Sequence, residues 1–153
     1  MLDPQRIRRC LEAGTSVLVG TVDTRGIPSC CRASAITSDD ELKTVAIYLP
    51  IATSQQTIKD IATTHRVAVA STQVIEHVSI QLKGTANTAR LARDDEATLV
   101  EQRYRAFADV LFKLGLPRRL TQSVVHWPAF VVEMRVEEIF EQTPGPNAGA
   151  RLR

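Results

Sequence analysis

The sequence predicts an α+β chain dominated by β-structure: a six-stranded antiparallel barrel with flanking helices. Three observations carry this. Valine-rich segments, several with period-two alternation, recur from one end of the chain to the other. The connections among the first three are too short to cross over to a parallel neighbour. Strand–helix–strand alternation of the doubly wound kind is missing. At 153 residues the chain suits one domain with a real core. Residues 1–142 are expected to form it, and the Gly- and Pro-rich 143–153 to be a flexible tail.

The elements follow in order. Asp3 suits the cap of an opening helix, Pro4 its first position and Gly14 its stop. Ser16 to Val22 reads as a strand, Asp23-Thr24-Arg25-Gly26 as a hairpin loop, and Ile27 to Ile36 as the return strand. Pro28 near its start suggests an edge position. After the turn Ser38–Glu41 comes a third strand, Leu42 to Leu49, which Pro50 breaks. Thr53 and Gln56 have the spacing of a capping box, opening a helix that runs to about Thr64. Arg66 to Ser71 is a short strand and Val78 to Thr88 a longer one, with Val78, Ile80 and Leu82 on one face. A long helix runs from Asp94 to near Gly115, with Leu99, Arg103, Phe107, Val110, Leu111 and Leu114 as its buried stripe. Ala129 to Glu141 alternates as the last strand.

Composition narrows the functions. A net charge of +2 is too small to imply a nucleic-acid partner, and 5% aromatic residues argue against a base-stacking surface. No apolar run approaches the roughly 20 residues of a membrane helix. The opening Met1–Pro4 lacks the features of a signal peptide, so a cytoplasmic location is expected. The odd cysteine count, Cys10, Cys30 and Cys31, argues against a disulfide framework. His65, His77 and His126 lack metal-ligand spacing, and no metal is expected. Neither a dinucleotide fingerprint, nor a phosphate loop, nor a nucleophile elbow is present.

One constellation stands out. The segment Tyr48-Leu49-Pro50 leaves a strand, and Thr53, Ser54, Gln55, Gln56 and Thr57 surround the start of the next helix, with Lys59 nearby. Free backbone N–H groups and the positive dipole end suit a phosphate there. The plain alternative is a capping box that only starts a helix.

The hairpin Val17–Pro28, Arg32 beyond it, Leu49-Pro50, the segment Thr64–Val69 and Lys83-Gly84-Thr85-Ala86 occur in an order and spacing that resemble the pyridoxamine 5′-phosphate oxidase-like split β-barrel family. The resemblance covers about residues 5 to 90 well. It implies a homodimer holding flavin mononucleotide (FMN), with deazaflavin, haem or no cofactor as alternatives. It implies an FMN-dependent oxidoreductase acting on a small molecule, or a flavin carrier or sensor without turnover. Arg32 would meet the flavin phosphate, Tyr48, Leu49 and Pro50 the ring, and Ser54 through Thr57 the phosphate. Ser79 or Gln81 would touch the ring edge. Trp127 is read as core or interface packing, or as a residue reaching the partner's flavin. Many members carry Lys near Thr57; here Lys59 is displaced by two positions, about 200° around the helix.

Overall fold

The computed structural model describes residues 4–153; the expected cap Asp3 lies outside the described residues. Twelve elements follow one another: α1 (Pro4–Arg9), β1 (Thr15–Val22), β2 (Pro28–Arg32), β3 (Ala35–Ser38), β4 (Thr44–Pro50), α2 (Gln55–Thr64), β5 (Arg66–Gln73), β6 (Ser79–Leu91), a 3₁₀ turn (Asp94–Glu96), α3 (Ala97–Lys113), α4 (Arg118–Gln122) and β7 (Ala129–Glu141). The strands form one antiparallel sheet in the order β2-β1-β5-β6-β7-β4-β3.

Seven strands replace the six expected, because the return strand breaks in two. Ala33 N–H donates to Val17 O on β1, whereas the next residue, Ser34, donates to Tyr48 O on β4. The chain thus changes partner within one residue. Its halves become opposite ends of the sheet, and this corner curls the sheet into a barrel. Apolarity runs through the break, so periodicity alone reads one strand.

The β1–β2 loop forms as the sequence predicts. Asp23 Oδ1 accepts from Arg25 N–H and Ile27 N–H, each at 2.8 Å, and Gly26 takes φ 83°. The capping box does not form. Ser54, not Thr53, is the N-cap of α2 and makes no side-chain cap bond. Its hydroxyl donates back to Pro50 O at 2.7 Å, and Gln56 Nε2 reaches forward to Asp60 Oδ1 at 2.7 Å. The Gln56 side chain, which the expected box would turn back to the cap, is thus spent on Asp60. The helix ends where expected, with His65 in the left-handed conformation at φ 59°.

Alternation along the strands fills the barrel. Val19, Ile47, Leu49, Val69, Ile80, Leu82, Val132 and Met134 are all fully buried in one cluster, closed by Ile7 and Leu11 from the N-terminal segment and Ile61 of α2. Burial of such side chains contributes about 1.5–3 kcal/mol each. A second, smaller cluster lies outside the barrel wall, where Tyr48 and Val131 meet Val100 of α3. None of the stripe predicted on α3 is fully buried: Leu99, Arg103, Phe107, Val110 and Leu111 are half-buried and Leu114 is 56% exposed, while the buried positions are Val100 and Ala108.

The final segment bonds back to the sheet and to the turn before β4. Leu152 N–H donates to Ile139 O, Gly149 N–H donates to Glu141 O, and the Arg153 guanidinium bonds Glu41 O and Leu42 O. Composition flagged Gly and Pro but could not show that these carbonyls offered acceptors. Among the described residues, no helix is long and apolar enough to cross a membrane.

Candidate functional site

The strand break that closes the barrel also opens a pocket. Arg32, Ala33, Ser34, Ala35 and Ile36 form its floor, with Thr15 and Val17 of β1 beside them. Pro50 and Thr53 line it next to α2, and Arg103, Tyr104 and Phe107 of α3, with Val124, Val125 and His126, complete the lining. The cavity measures about 310 Å³, within the range of small-molecule sites.

Its electrostatics are one-sided. Two guanidiniums and an imidazole line the pocket, and no carboxylate does. The Arg32 guanidinium donates to Ser16 Oγ at 2.7 Å and lies 5.2 Å from the centre of the Phe107 ring. The His126 ring stacks on Tyr104 at 4.1 Å between centroids, tilted 8°. Its Nε2 lies 2.5 Å from Glu101 Oε2 and its Nδ1 3.3 Å from Val124 O. The bonds from His126 and Arg105 hold the Glu101 carboxyl below its ordinary range.

The expected site residues separate into groups. Arg32 and Pro50 line the pocket. Leu49 is fully buried in the barrel core. Tyr48 is buried in the second cluster, its hydroxyl donating to Glu96 Oε1 at 3.3 Å. Glu96 is also gripped by both terminal nitrogens of Arg90 at 2.7 Å, and Arg90 together with the Arg93 N–H lowers its pKa to about 2. The Tyr48 side chain thus pins α3 to the sheet, while its carbonyl accepts from Ser34 beside the pocket.

At the start of α2, only Thr53 lines the pocket. Ser54 and Thr57 are buried. Gln55 and Gln56 are exposed and bond within their own segment, and Lys59 is exposed. Among the described residues, however, the backbone N–H groups of Gln55, Gln56 and Thr57 have no backbone acceptor. This leaves the helix start able to receive an anion. Ser79 and Gln81 sit on β6, outside the pocket lining; Ser79 Oγ lies 2.7 Å from Thr72 Oγ1. Trp127 packs half-buried against the second cluster, one residue from the pocket's His126.

The residues not anticipated are Thr15, Ser34, Arg103, Tyr104 and His126. Arg103 carried a readable signal: an arginine within an apolar helical stripe must snorkel out or face a polar cavity. Thr15 and Ser34 depend on where the return strand breaks, and Tyr104 and His126 on how α3 crosses that break. Among the described residues, no group of three or more His, Cys, Asp or Glu side chains gathers as a metal site.

No family model matches the chain, and no curated protein matches it by sequence. Solved structures do. HupZ of Group A Streptococcus superimposes with a TM-score of 0.60 at 22% identity, over 97% of this chain and 100% of that one. A putative pyridoxamine 5′-phosphate oxidase from Lactobacillus delbrueckii gives 0.56 at 17%, over 91% and 93%. The chain has the split-barrel fold of the pyridoxamine 5′-phosphate oxidase-like proteins. HutZ, the haem storage protein of Vibrio cholerae, shares this split barrel with a TM-score of 0.51 at 11% identity, over 92% and 94%. The fold is therefore common to proteins of differing ligand chemistry.

Proposed function

We propose that this split barrel binds flavin mononucleotide in the pocket at the strand break and works as an FMN-dependent oxidoreductase on a small molecule. The observation that carries the proposal is the pairing of Arg32 with the open helix start beside Thr53, in an apolar pocket without a carboxylate. A dianionic phosphate suits a guanidinium and free backbone N–H groups. The apolar walls, Val17, Ala35, Ile36, Phe107 and Val125, suit a planar ring system. These residues fit the group: Arg32, Thr53 and the α2 backbone would hold the phosphate, and Pro50 would border the ring.

When bound, the flavin would supply two-electron chemistry; the chain's part is to bind, orient and exclude water. Tyr104 and Phe107 would shield the ring edge. Haem is the second reading, favoured by the shared fold of the haem storage protein. The pocket offers it His126 alone, and both nitrogens of that ring already face oxygen partners.

Arg32→Ala is expected to weaken FMN about tenfold or more, the usual effect of losing a hydrogen bond to a charged group. Titration by quenching of flavin fluorescence measures it. Equal affinity in variant and wild type would remove Arg32 from the phosphate site.

We further propose a homodimer. Val124 and Val125 at the pocket rim are 47% and 52% exposed, with Leu120 nearby in sequence at 48%. A second copy covering them would complete the pocket wall. Sedimentation should give twice the 16.9 kDa chain mass; a monomer at micromolar concentration would refute it.

A further inference from the structure

Arg103 is the one charged residue of the stripe predicted on α3, and the fold turns it into the pocket rather than into the core. Its Nη1 donates to Leu11 O at 3.4 Å. A guanidinium carries five N–H donors, so most remain for a ligand. Among the described residues neither Arg103 nor Arg32 has an ion-pair partner. The nearest acid in sequence on α3, Glu101, is already held by Arg105 and His126, each at 2.5 Å. Eight other arginines, at positions 8, 25, 90, 93, 105, 118, 135 and 151, do pair with carboxylates.

Two unpaired guanidiniums facing one half-enclosed cavity repel each other, at a cost that falls when an anion enters. They arrive from independent elements, Arg32 from β2 and Arg103 from α3. We infer that Arg103 is a second anion-binding residue of this pocket, selecting phosphorylated ligands over their neutral counterparts from the helical wall. The inference rests on the flavin reading for the identity of the ligand, but not for its charge. It names the ligand class: a planar apolar body carrying phosphate. Arg103 also provides what a lysine on α2 would otherwise supply, since Thr57 is neutral and Lys59 lies outside the lining.

The test compares FMN with riboflavin, which lacks the phosphate, on wild type, Arg103→Gln and Arg103→Lys. Wild type should prefer FMN. Arg103→Gln should weaken FMN about tenfold and leave riboflavin unchanged, with Lys restoring part of the loss. An unchanged FMN-to-riboflavin ratio in Arg103→Gln overturns the inference, whether both affinities fall or neither does. Thermal shift with pyrophosphate separates this result from failure of the flavin reading. If wild type binds no flavin, but pyrophosphate stabilises it and not Arg103→Gln, the anion site stands and the flavin reading falls. If pyrophosphate stabilises neither, or both equally, the inference falls as well.

Discussion

Gly84→Ala should cost about 3 kcal/mol of stability, the upper part of the range for overpacking a filled interior. A Cβ built on Gly84 would sit 1.9 Å from the Arg135 carbonyl oxygen and 2.9 Å from its carbon. Both are backbone atoms of β7, so no side chain can swing aside. The close approach arises because β6 shifts register against β7 between Lys83 and Gly84. Two long strands are bent together there, and only a residue without a side chain lets them touch. Thermal unfolding followed by circular dichroism should show a fall of roughly 6–12 °C. A fall of less than two degrees would mean that the strands separate without cost at this point. Flavin affinity of the folded fraction should be unchanged, since Gly84 lies outside the candidate pocket.

Asp60→Ala is expected to cost about 2–3 kcal/mol. Asp60 is 2% exposed, and its Oδ2 accepts from Thr21 at 2.7 Å and Ser29 at 2.6 Å. Each hydroxyl has one proton, and both protons are spent on this carboxylate. Its Oδ1 accepts from Gln56. The cluster fastens α2 to the β1–β2 hairpin, which delivers Arg32 to the pocket. Burial works against the charge, but the bonds from Ser29, Thr21 and Gln56 outweigh it and hold the carboxyl below its ordinary range. Because the folded pKa is depressed, this stabilisation is fully present above the unfolded value of about 3.9. It is lost as pH falls through the folded value. Urea unfolding at neutral pH should therefore show the full loss in the variant, and the gap from wild type should narrow on acidification below pH ~4. A constant gap across that window would show that the carboxylate charge contributes nothing.

Lys83-Gly84-Thr85-Ala86 was readable as a motif, yet its reason, a backbone contact with Arg135, requires knowing that β7 pairs with β6. The strands themselves followed from alternation: Ala129 to Glu141 has the bounds expected of it. The corner at Ala33 and Ser34 did not, because a chain that exchanges hydrogen-bond partners keeps the same apolar pattern. Arg32 and Pro50 line the candidate pocket, and a short hairpin and a strand end fix their positions locally. Ser54 and Thr57 read as ligands from their polarity, but one helical turn decides whether a side chain meets the pocket or the core. Here both face inward. Arg103 and His126 lie far along the chain and reach the pocket only through the crossing of α3, which no local pattern encodes.

Whether this pocket binds a phosphorylated flavin is decided by equilibrium titration of FMN into the purified wild-type chain. Saturable quenching of flavin fluorescence is expected, with one flavin per chain and a perturbed visible spectrum. A titration without quenching or spectral change would contradict it, and saturable binding of haemin by the same preparation would then point to the haem reading.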